Sequence, residues 1–179
     1  GIYLRGVDAG FVMDIAASPR EYAALYGRFN AVVESARDRK RFLDFVYAHY
    51  EGDRSFVPPL RMDQDNATRP GKNPLFEHGR MQLFLAERGG EVVGRIAAIV
   101  NGMHLEKYAD GTGFFGFFES EDSDETAGAL VDAAAGWLRA QGLTSMRGPT
   151  NPTMNDVAGL LVDGFDREPF VLMAYNKPC

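Results

Sequence analysis

The 179-residue sequence has very little cysteine and no long apolar run. Its single cysteine, Cys179, is the last residue. An internal disulfide and a metal site built from several cysteines are therefore excluded, and a reducing compartment is the simpler expectation. No apolar run approaches the roughly 18 residues that a membrane-spanning helix needs, and no signal-peptide pattern is recognisable. We therefore expect a cytoplasmic protein without a membrane partner.

The sequence also lacks the patterns of several common functional classes. Its net charge is −6, and its densest basic run, Arg37–Arg41, opens a predicted helix, so we expect no nucleic-acid partner. The three histidines, His49, His78 and His104, lie far apart without ligand spacing, and we expect no metal site. A G-x-S-x-G elbow, a P-loop and a dinucleotide-binding glycine pattern are all missing.

Length and composition indicate one globular domain. Apolar residues make up 45% of the chain and charged residues 25%, which is ordinary for a soluble domain of this size. We assign residues 30–179 to that domain. Residues 1–29 are predicted to be an N-terminal lead-in, with a short strand near Phe11–Met13 and a helix over Ser18–Phe29.

The segment from Gly111 to Gly142 organises the rest of the chain. Its aromatic run predicts a strand over Phe114–Glu119 that is covered on both faces. The apolar spacing from Ala127 onward predicts a helix, with Ser123 or Asp124 as N-cap and Gly142 just after its last turn. A strand that leads into a helix N-terminus is a common anion-binding arrangement in α/β proteins.

The other elements follow from periodicity and turn residues. Gly89-Gly90 predicts a hairpin, and Gly94 indicates a bulge or a close backbone approach. Further strands are predicted over 30–35, 81–87, 92–101, 145–148 and 170–174, and further helices over 38–50 and 157–162. An antiparallel hairpin combined with a βαβ crossover predicts a mixed α/β (α+β) fold.

Five acidic residues between Glu119 and Glu125 occupy the predicted helix start. Acidic groups at this position complement the helix dipole, which accounts for them without a ligand. Carboxylate oxygens can also hold Mg²⁺ or Ca²⁺, but the spacing of a calcium-binding loop is missing. The same charges would repel a diphosphate.

An ordered series of motifs resembles a family of bacterial proteins described as GNAT-like, with an acyl-CoA N-acyltransferase fold and little assigned chemistry. The series is FVPPL (Phe56–Leu60), KNPLFEH (Lys72–His78), VGRIAAIVN (Val93–Asn101), GFFGFFES (Gly113–Ser120), RGPTNPTMND (Arg147–Asp156), GLLVDGFD (Gly159–Asp166) and MAYN (Met173–Asn176). The resemblance implies a central mixed sheet flanked by helices, with a site where the 114–119 and 145–149 strands separate.

The resemblance implies a transferase that moves an acyl group from acetyl-CoA or another acyl-CoA to a small-molecule amine. It also implies a final strand that this sequence lacks, so the predicted 170–174 strand would be completed by residues 1–29, by a longer chain or by a second copy in a homodimer. The 119–125 loop departs from the family's basic, glycine-rich pattern. The alternatives are a GNAT-like domain that has lost CoA and acts as a binding or assembly module, and an enzyme that uses the cleft for a cationic substrate.

The residues that would perform this chemistry follow from the resemblance. Glu119 is the candidate base, with a structural role at the helix start as the alternative. Tyr175 is the candidate acid, with packing as the alternative. The candidate cofactor-binding residues are Phe117 and Phe118 through their backbone, together with Ser120, Thr126, Asn151 and Asn155; capping would account for at least one of the two asparagines.

Overall fold

The computed structural model describes residues 11–15, 30–170 and 173–177. The strands are β1 (Phe11–Asp14), β2 (Asn30–Val32), β3 (Gly79–Arg88), β4 (Glu91–Asn101), β5 (Thr112–Ser120), β6 (Ser145–Gly148), β7 (Thr150–Asn151) and β8 (Val157–Ala158). The helices are α1 (Ala36–His49), α2 (Arg61–Ala67), α3 (Gly102–Tyr108) and α4 (Asp124–Ala140), with a 3-10 turn at Pro74–Glu77.

The described strands form a mixed sheet in the order β1-β6-β5-β4-β3-β2, beside a small β7-β8 ladder. Every neighbouring pair in the large sheet is antiparallel except β5 and β6, which are parallel. The predicted mixed α/β fold with helices on a central sheet is confirmed. Among the described residues, no helix combines the length and the apolar character that a membrane span requires.

The central segment folds as the sequence predicts. β5 leads into α4, where the Ser123 side chain accepts a hydrogen bond from the Thr126 amide at 3.3 Å and so caps the helix. Gly142 follows the helix with φ +83°, and the Leu143 amide donates to the Leu138 carbonyl at 3.2 Å. A left-handed residue at this position lets the chain turn back to satisfy the last carbonyls of the helix.

The two faces of the sheet carry separate cores because side chains alternate along each strand. Ile96, Ala98 and Val100 of β4 pack toward α4, whereas Ala97 and Ile99 pack toward α1. The α4 side also buries Phe84, Ala86, Phe115, Leu130, Ala134, Ala135, Leu138 and Met146, and the α1 side buries Phe42, Leu75, Leu83, Leu85, Phe114 and Phe117.

The hairpin between β3 and β4 is confirmed, and so is the close approach at Gly94. Gly89 and Gly90 form the turn with φ +62° and +89°, a conformation that suits glycine. The register of the two strands shifts between Ala86 and Glu87. A Cβ on Gly94 would lie 2.7 Å from the Leu130 side chain and 3.0 Å from the Glu119 carbonyl oxygen.

The edge of the sheet beside β6 is filled by the N-terminal segment of the same chain. Phe11–Asp14 pairs antiparallel with Ser145–Gly148, which extends the predicted strand by one residue. Residues from the first 29 therefore join the sheet, but the described pairing is with β6 and not with the 170–174 segment that the prediction named. The helix predicted over Ser18–Phe29 lies outside the described residues.

The helix predicted over 157–162 is wrong. Val157–Ala158 forms β8 and pairs antiparallel with Thr150–Asn151. The capping residues ahead of it close a turn on themselves: Asp156 Oδ2 accepts from the Thr153 amide at 3.2 Å and from its hydroxyl at 2.7 Å. Gly159 then adopts φ +95°, which does not continue a helix.

The strand predicted over 170–174 is also wrong at its described positions. Phe170, Met173 and Ala174 lie in irregular chain, while residues 171–172 are outside the described residues. The Met173 amide donates to the Phe170 carbonyl at 3.1 Å, which makes a local turn. The homodimer expected through this segment stays a prediction.

Candidate functional site

The central strand β5 contains a bulge beside the predicted site. Ala97 of β4 pairs with Gly116, but Arg95 pairs with Glu119, so two residues of β5 face one residue of β4. Phe117 takes φ +50° within this bulge. An extra residue reverses which side chains point to each face of a strand.

The bulge decides on which side of the sheet Glu119 lies. Regular alternation from Phe114 would place Phe117 on the α4 side, yet Phe117 packs on the α1 side, with its ring centroid 6.3 Å from that of Phe42. Glu119, two residues further on, shares that side. The hydroxyl of Tyr50, which follows α1, donates to Glu119 Oε2 at 2.6 Å.

The segment after β6 holds the bulge in place. The Phe117 amide donates to Asn151 Oδ1 at 2.6 Å. A Cβ on Gly116 would lie 1.6 Å from the Thr150 carbonyl oxygen, a distance that no side chain can occupy. The parallel ladder of β5 and β6 ends at Phe114 and Arg147. The space beside Gly116 is therefore filled by residues 150–151, and the opening lies further along β5 than the sequence suggests.

A cavity of about 410 Å³ lies at the end of β5. Four parts of the chain surround it: the turn between β5 and α4, the end of α1, residues 160–165 and residues 176–177. Its apolar wall consists of Phe118, Leu160, Leu161, Val162 and Phe165, and its polar lining includes His49, Tyr50, Glu119, Ser120, Glu121, Asp122, Asp124 and Lys177. Sites that bind small molecules have this combination of an apolar wall and a few polar groups.

The C-terminal segment 173–177 fastens one wall of this cavity to the other. Asn176 Oδ1 accepts from the Leu161 amide at 2.7 Å, and Asn176 Nδ2 donates to the Leu161 carbonyl at 3.2 Å. On the opposite side, the Tyr175 hydroxyl donates to Asp53 Oδ2 at 2.8 Å, and Lys177 Nζ donates to the His49 carbonyl at 2.5 Å.

An aromatic stack supports the floor of the site. The rings of Tyr50 and Phe56 are parallel within 13° at 4.1 Å, and the Tyr175 ring lies 5.8 Å from that of Tyr50. Tyr50 thus packs against Phe56 and Tyr175 while its hydroxyl donates to Glu119.

Burial raises the pKa of the Glu119 carboxyl above its ordinary value. The cation of Arg95, the hydrogen bond from Tyr50 and the cation of Lys177 oppose that rise but do not cancel it. A carboxylate whose pKa is raised is a better proton acceptor than an ordinary one, which is the property that a general base requires. The role of Glu119 as the base stays a prediction.

Two neighbours of Glu119 stay uncharged at neutral pH. Burial, together with the negative charge of Glu119 and the hydrogen bond to it, raises the pKa of the Tyr50 hydroxyl, so this group remains a donor. Burial also lowers the pKa of His49, as do the cations of Lys177 and Arg95, so its imidazole is neutral.

The acidic lip of the cavity, formed by Glu121, Asp122 and Asp124, does not fit a diphosphate. Arg88 pairs with Glu121 and, at 3.5 Å, with Glu125, while Asp122 and Asp124 line the cavity beside Ser123. Lys177 is the cationic side chain among the described lining residues, and it already donates to His49. Carboxylates repel a diphosphate by several kcal/mol at surface-like dielectric, about 4 kcal/mol for one pair at 4 Å.

The predicted site residues fall into three groups. Glu119, Phe118 and Ser120 line the cavity, and Tyr175 lies one ring away behind Tyr50. Thr126 is buried and donates to Glu121 Oε1 at 2.7 Å, while Phe117 and Asn151 bond to each other. Asn155 is exposed in the turn before β8. Their roles in catalysis and in cofactor binding stay predictions.

Sequence reasoning does not identify Tyr50, His49 and Lys177 as site residues. Tyr50 and His49 end an amphipathic helix pattern, which predicts only packing for them. Tyr50 donates to Glu119 from 69 positions away in the sequence, so this hydrogen bond leaves no local sequence signal. Among the described residues, no group of three His, Cys, Asp or Glu side chains is placed to hold a metal ion.

Comparison with known proteins gives two curated relatives, and no family model matches the chain. A protein named YghO of Escherichia coli (strain K12) is 36% identical over 141 residues, which is 79% of this chain and 36% of that protein. A bacterial ceramide synthase of Caulobacter vibrioides (strain NA1000 / CB15N) is 39% identical over 146 residues, 80% of this chain and 38% of the synthase. The chain thus spans less than two fifths of the length of either relative.

One solved structure is also similar to the chain. It is an aminoglycoside acetyltransferase from an uncultured soil metagenomic sample in complex with sisomicin, at 13% identity and a TM-score of 0.43. The match covers 65% of this chain and 74% of that one. At this level the likeness bears on neither substrate nor mechanism.

Proposed function

We propose that the chain carries the base-containing half of an N-acyltransferase site, in which Glu119 deprotonates an amine that accepts an acyl group. The observation that supports this most directly is the Glu119 carboxyl itself. It lines a cavity of about 410 Å³, receives the Tyr50 hydroxyl at 2.6 Å and has a raised pKa.

The chemistry requires such a group because an alkylamine is protonated in neutral water. Glu119 takes the proton from the ammonium, and the nitrogen lone pair then forms a bond to the acyl carbon. The bond between that carbon and the thioester sulfur breaks, and the sulfur departs with the electron pair. The departing thiolate takes up the second proton that the nitrogen loses as the amide forms. The Tyr50 hydroxyl keeps Glu119 oriented toward the amine throughout.

The acceptor in this proposal is a long-chain amino alcohol. One relative is named a ceramide synthase, and a ceramide is an amide of such an amine. The apolar wall at Phe118, Leu161 and Phe165 suits an aliphatic chain, while Glu119 and the acidic lip suit its ammonium group. A polyhydroxylated amine would leave that wall unused.

The donor in this proposal is an acyl thioester. The motif resemblance implies acetyl-CoA or another acyl-CoA. Since the lip opposes a diphosphate, no step is assigned to that part of the donor. Acyl-CoA species of increasing chain length are the first donors to test.

A product assay tests the proposal. Purified protein is incubated with labelled acetyl-, octanoyl- or palmitoyl-CoA and, separately, a long-chain amino alcohol, ethanolamine or spermidine, and the amides are measured by mass spectrometry. We expect the amide of the long-chain amine to form fastest. The proposal fails if no amide forms with any donor although the long-chain amine binds.

The second candidate function is a module that binds a long-chain amine without acyl transfer. The acidic lip favours it, because that feature opposes the expected donor. Thermal stabilisation separates the two: a ligand at 100 times its Kd stabilises the folded state by about 2.7 kcal/mol. A module would respond to the amine alone, whereas the enzyme would respond to a donor as well.

A further inference from the structure

Arg95 is a buried cation in the sheet, on the same side as Glu119. Only 3% of its surface is exposed. Its Nη1 donates to the Phe42 carbonyl at 3.0 Å, and its guanidinium carbon lies 5.0 Å from the centre of the Phe42 ring. Its Nε has no hydrogen-bond partner among the described residues.

A guanidinium in this position is costly to bury. Removing a charge from water costs several kcal/mol unless nearby opposite charge compensates it. One carbonyl and one aromatic face give partial compensation. The packing alone does not explain an arginine here, because the neighbouring α1-side positions on β4 are Ala97 and Ile99.

The opposite charge lies directly across the ladder. Arg95 of β4 is the register partner of Glu119 of β5, immediately beyond the bulge. Cross-strand partners on one face have Cβ atoms about 4.5–5.5 Å apart. Without the bulge, the alternation of β5 would place Glu119 on the opposite face from Arg95.

We propose that Arg95 is a positioning residue whose cation, held across the strand ladder from Glu119, favours the ionised form of that carboxyl. The inference rests on the proposed function for its catalytic meaning, since an ionised Glu119 is the form that accepts a proton. The effect of Arg95 on the ionisation of Glu119 can be measured whether or not the protein has the proposed activity.

The other groups that face Glu119 do not replace this cation. Tyr50 donates a hydrogen bond from the end of α1, Lys177 contributes a charge from the C-terminal segment, and His49 is neutral. The acidic groups of the lip, Glu121, Asp122 and Asp124, act in the opposite direction by like charge. The charge of Arg95 lowers the pKa of Glu119 more than the hydrogen bond from Tyr50 or the charge of Lys177 does.

Direct titration of Glu119 tests the inference without any need for activity. The side-chain carboxyl is observed by ¹³C NMR in protein with labelled glutamate, and Glu119→Gln assigns its signal. Arg95→Met should move the titration midpoint upward by about one pH unit or more, the usual effect of removing a cation from beside a carboxylate. Arg95→Lys should restore most of the midpoint change.

Lys177→Met is the matched control, because it removes the other cation near Glu119. We expect it to move the midpoint less than Arg95→Met does. If the enzyme is active, the acidic limb of its kcat/KM profile should move with the same midpoint, whereas a merely structural loss would lower the profile without moving it.

The inference is overturned if the Glu119 midpoint stays within about 0.3 pH units of wild type in folded Arg95→Met, or if Lys177→Met has the larger effect. Should Arg95→Met fail to fold, Arg95→Gln keeps the polar shape without the charge and the same criterion applies. The wild-type protein gives a test of its own: a Glu119 that stays protonated above pH 9 contradicts the inference. If the Glu119 midpoint behaves as expected in wild type and in the variants but wild-type protein makes no amide, the proposed function fails and the inference about Arg95 stands.

Discussion

The two halves of β5, residues 112–115 and residues 116–120, are both rich in phenylalanine but differ in strand pairing, burial and charge. Residues 112–115 are all buried and pair in regular register: Thr112–Phe114 pair with β6, and Phe114 and Phe115 pair with β4. Residues 116–120 contain the bulge and lose the β6 ladder, and their last three residues are only partly buried. The first half carries no charge, while the second carries Glu119.

The comparison shows how the two halves of β5 together place a buried carboxyl beside a cavity. The regular half consists of buried residues and carries no charge. The bulge of the second half places Glu119 on the α1 side of the sheet, at the cavity. Burial at this position raises the pKa of Glu119, and the cavity makes its carboxyl accessible.

The largest effect should come from removing the one charge of the bulged half. Glu119→Gln keeps size and hydrogen bonding but cannot accept the proton, so we expect turnover to fall about 10²- to 10⁴-fold. Steady-state amide synthesis measures it. Glu125→Gln is the control at the start of α4, because Glu125 is exposed and does not belong to the described cavity lining; its turnover should stay within about threefold of wild type. Equal losses in the two variants would contradict a specific role for Glu119.

Alanine substitutions at two glycines, one in each half of β5, compare the halves through the free energy of unfolding. A Cβ on Gly116 would lie 1.6 Å from the Thr150 carbonyl oxygen, whereas a Cβ on Gly113 would meet only the flexible ends of Leu138 and Leu143, at 2.7 Å and beyond. Gly116→Ala should lower the free energy of unfolding by about 3 kcal/mol or more, and Gly113→Ala by clearly less. Urea denaturation measures both.

Gly128→Ala is the helical control for this pair, because nothing lies within 4 Å of the position that its Cβ would take. Alanine is a better helix former than glycine, so this variant should be more stable by about 0.5–1 kcal/mol. If Gly113→Ala were the more damaging strand variant, the bulged half would not be held by residues 150–151 as described.

The bulge depends on one side-chain hydrogen bond from outside the sheet. Asn151→Ala leaves the buried Phe117 amide without its acceptor, which should cost about 1–3 kcal/mol of unfolding free energy. Asn151→Asp keeps the acceptor and should cost less. Hydrogen exchange at the Phe117 amide would locate the effect, and unchanged protection in Asn151→Ala would contradict it.

The regular half of β5 is predictable from sequence, and the bulged half is not. The run from Phe114, the Ser123 cap and Gly142 each carry a local signal, because caps, turns and buried strands depend on neighbouring residues. The bulge depends on Thr150 and Asn151, which come from beyond the following helix and strand. Alternation read from Phe114 places Glu119 on the wrong face.

The same limit explains which site residues the sequence does not reveal. Glu119 is identifiable because it ends the central strand, but its donor, Tyr50, and its cross-strand cation, Arg95, come from other elements. The predicted helix over 157–162 fails for a related reason: Thr153 and Asp156 have capping chemistry, yet they bond to each other in a turn. Sequence shows which residues are able to cap, and tertiary contacts decide what they cap.

The pH dependence of stability should also reveal the bulged half, because Glu119 is the titratable group of β5. Because burial raises the pKa of Glu119 in the folded state above its ordinary value of 4.5, the folded protein holds that proton more tightly than the unfolded chain. The stability from this group is complete below pH 4.5 and is lost as pH rises through the folded pKa. The loss amounts to about 1.4 kcal/mol for every tenfold difference in proton affinity between the two states. Thermal melts of wild type and Glu119→Gln should therefore diverge as pH rises, in favour of the variant. Parallel curves would contradict the raised pKa.

The smallest expected effect separates the two tyrosines of the aromatic stack. Tyr50→Phe removes the hydroxyl that donates to Glu119 at 2.6 Å, so the carboxyl loses one stabilising partner and turnover should fall about fivefold, the equivalent of about 1 kcal/mol. Tyr175→Phe removes a hydroxyl that donates to Asp53, outside the cavity, and turnover should change less than twofold. Both variants keep their rings, so the stack over Phe56 is preserved in each. A larger loss from Tyr175→Phe would support the prediction of Tyr175 as the catalytic acid and would shift the reacting centre from the end of β5 toward the C-terminal segment.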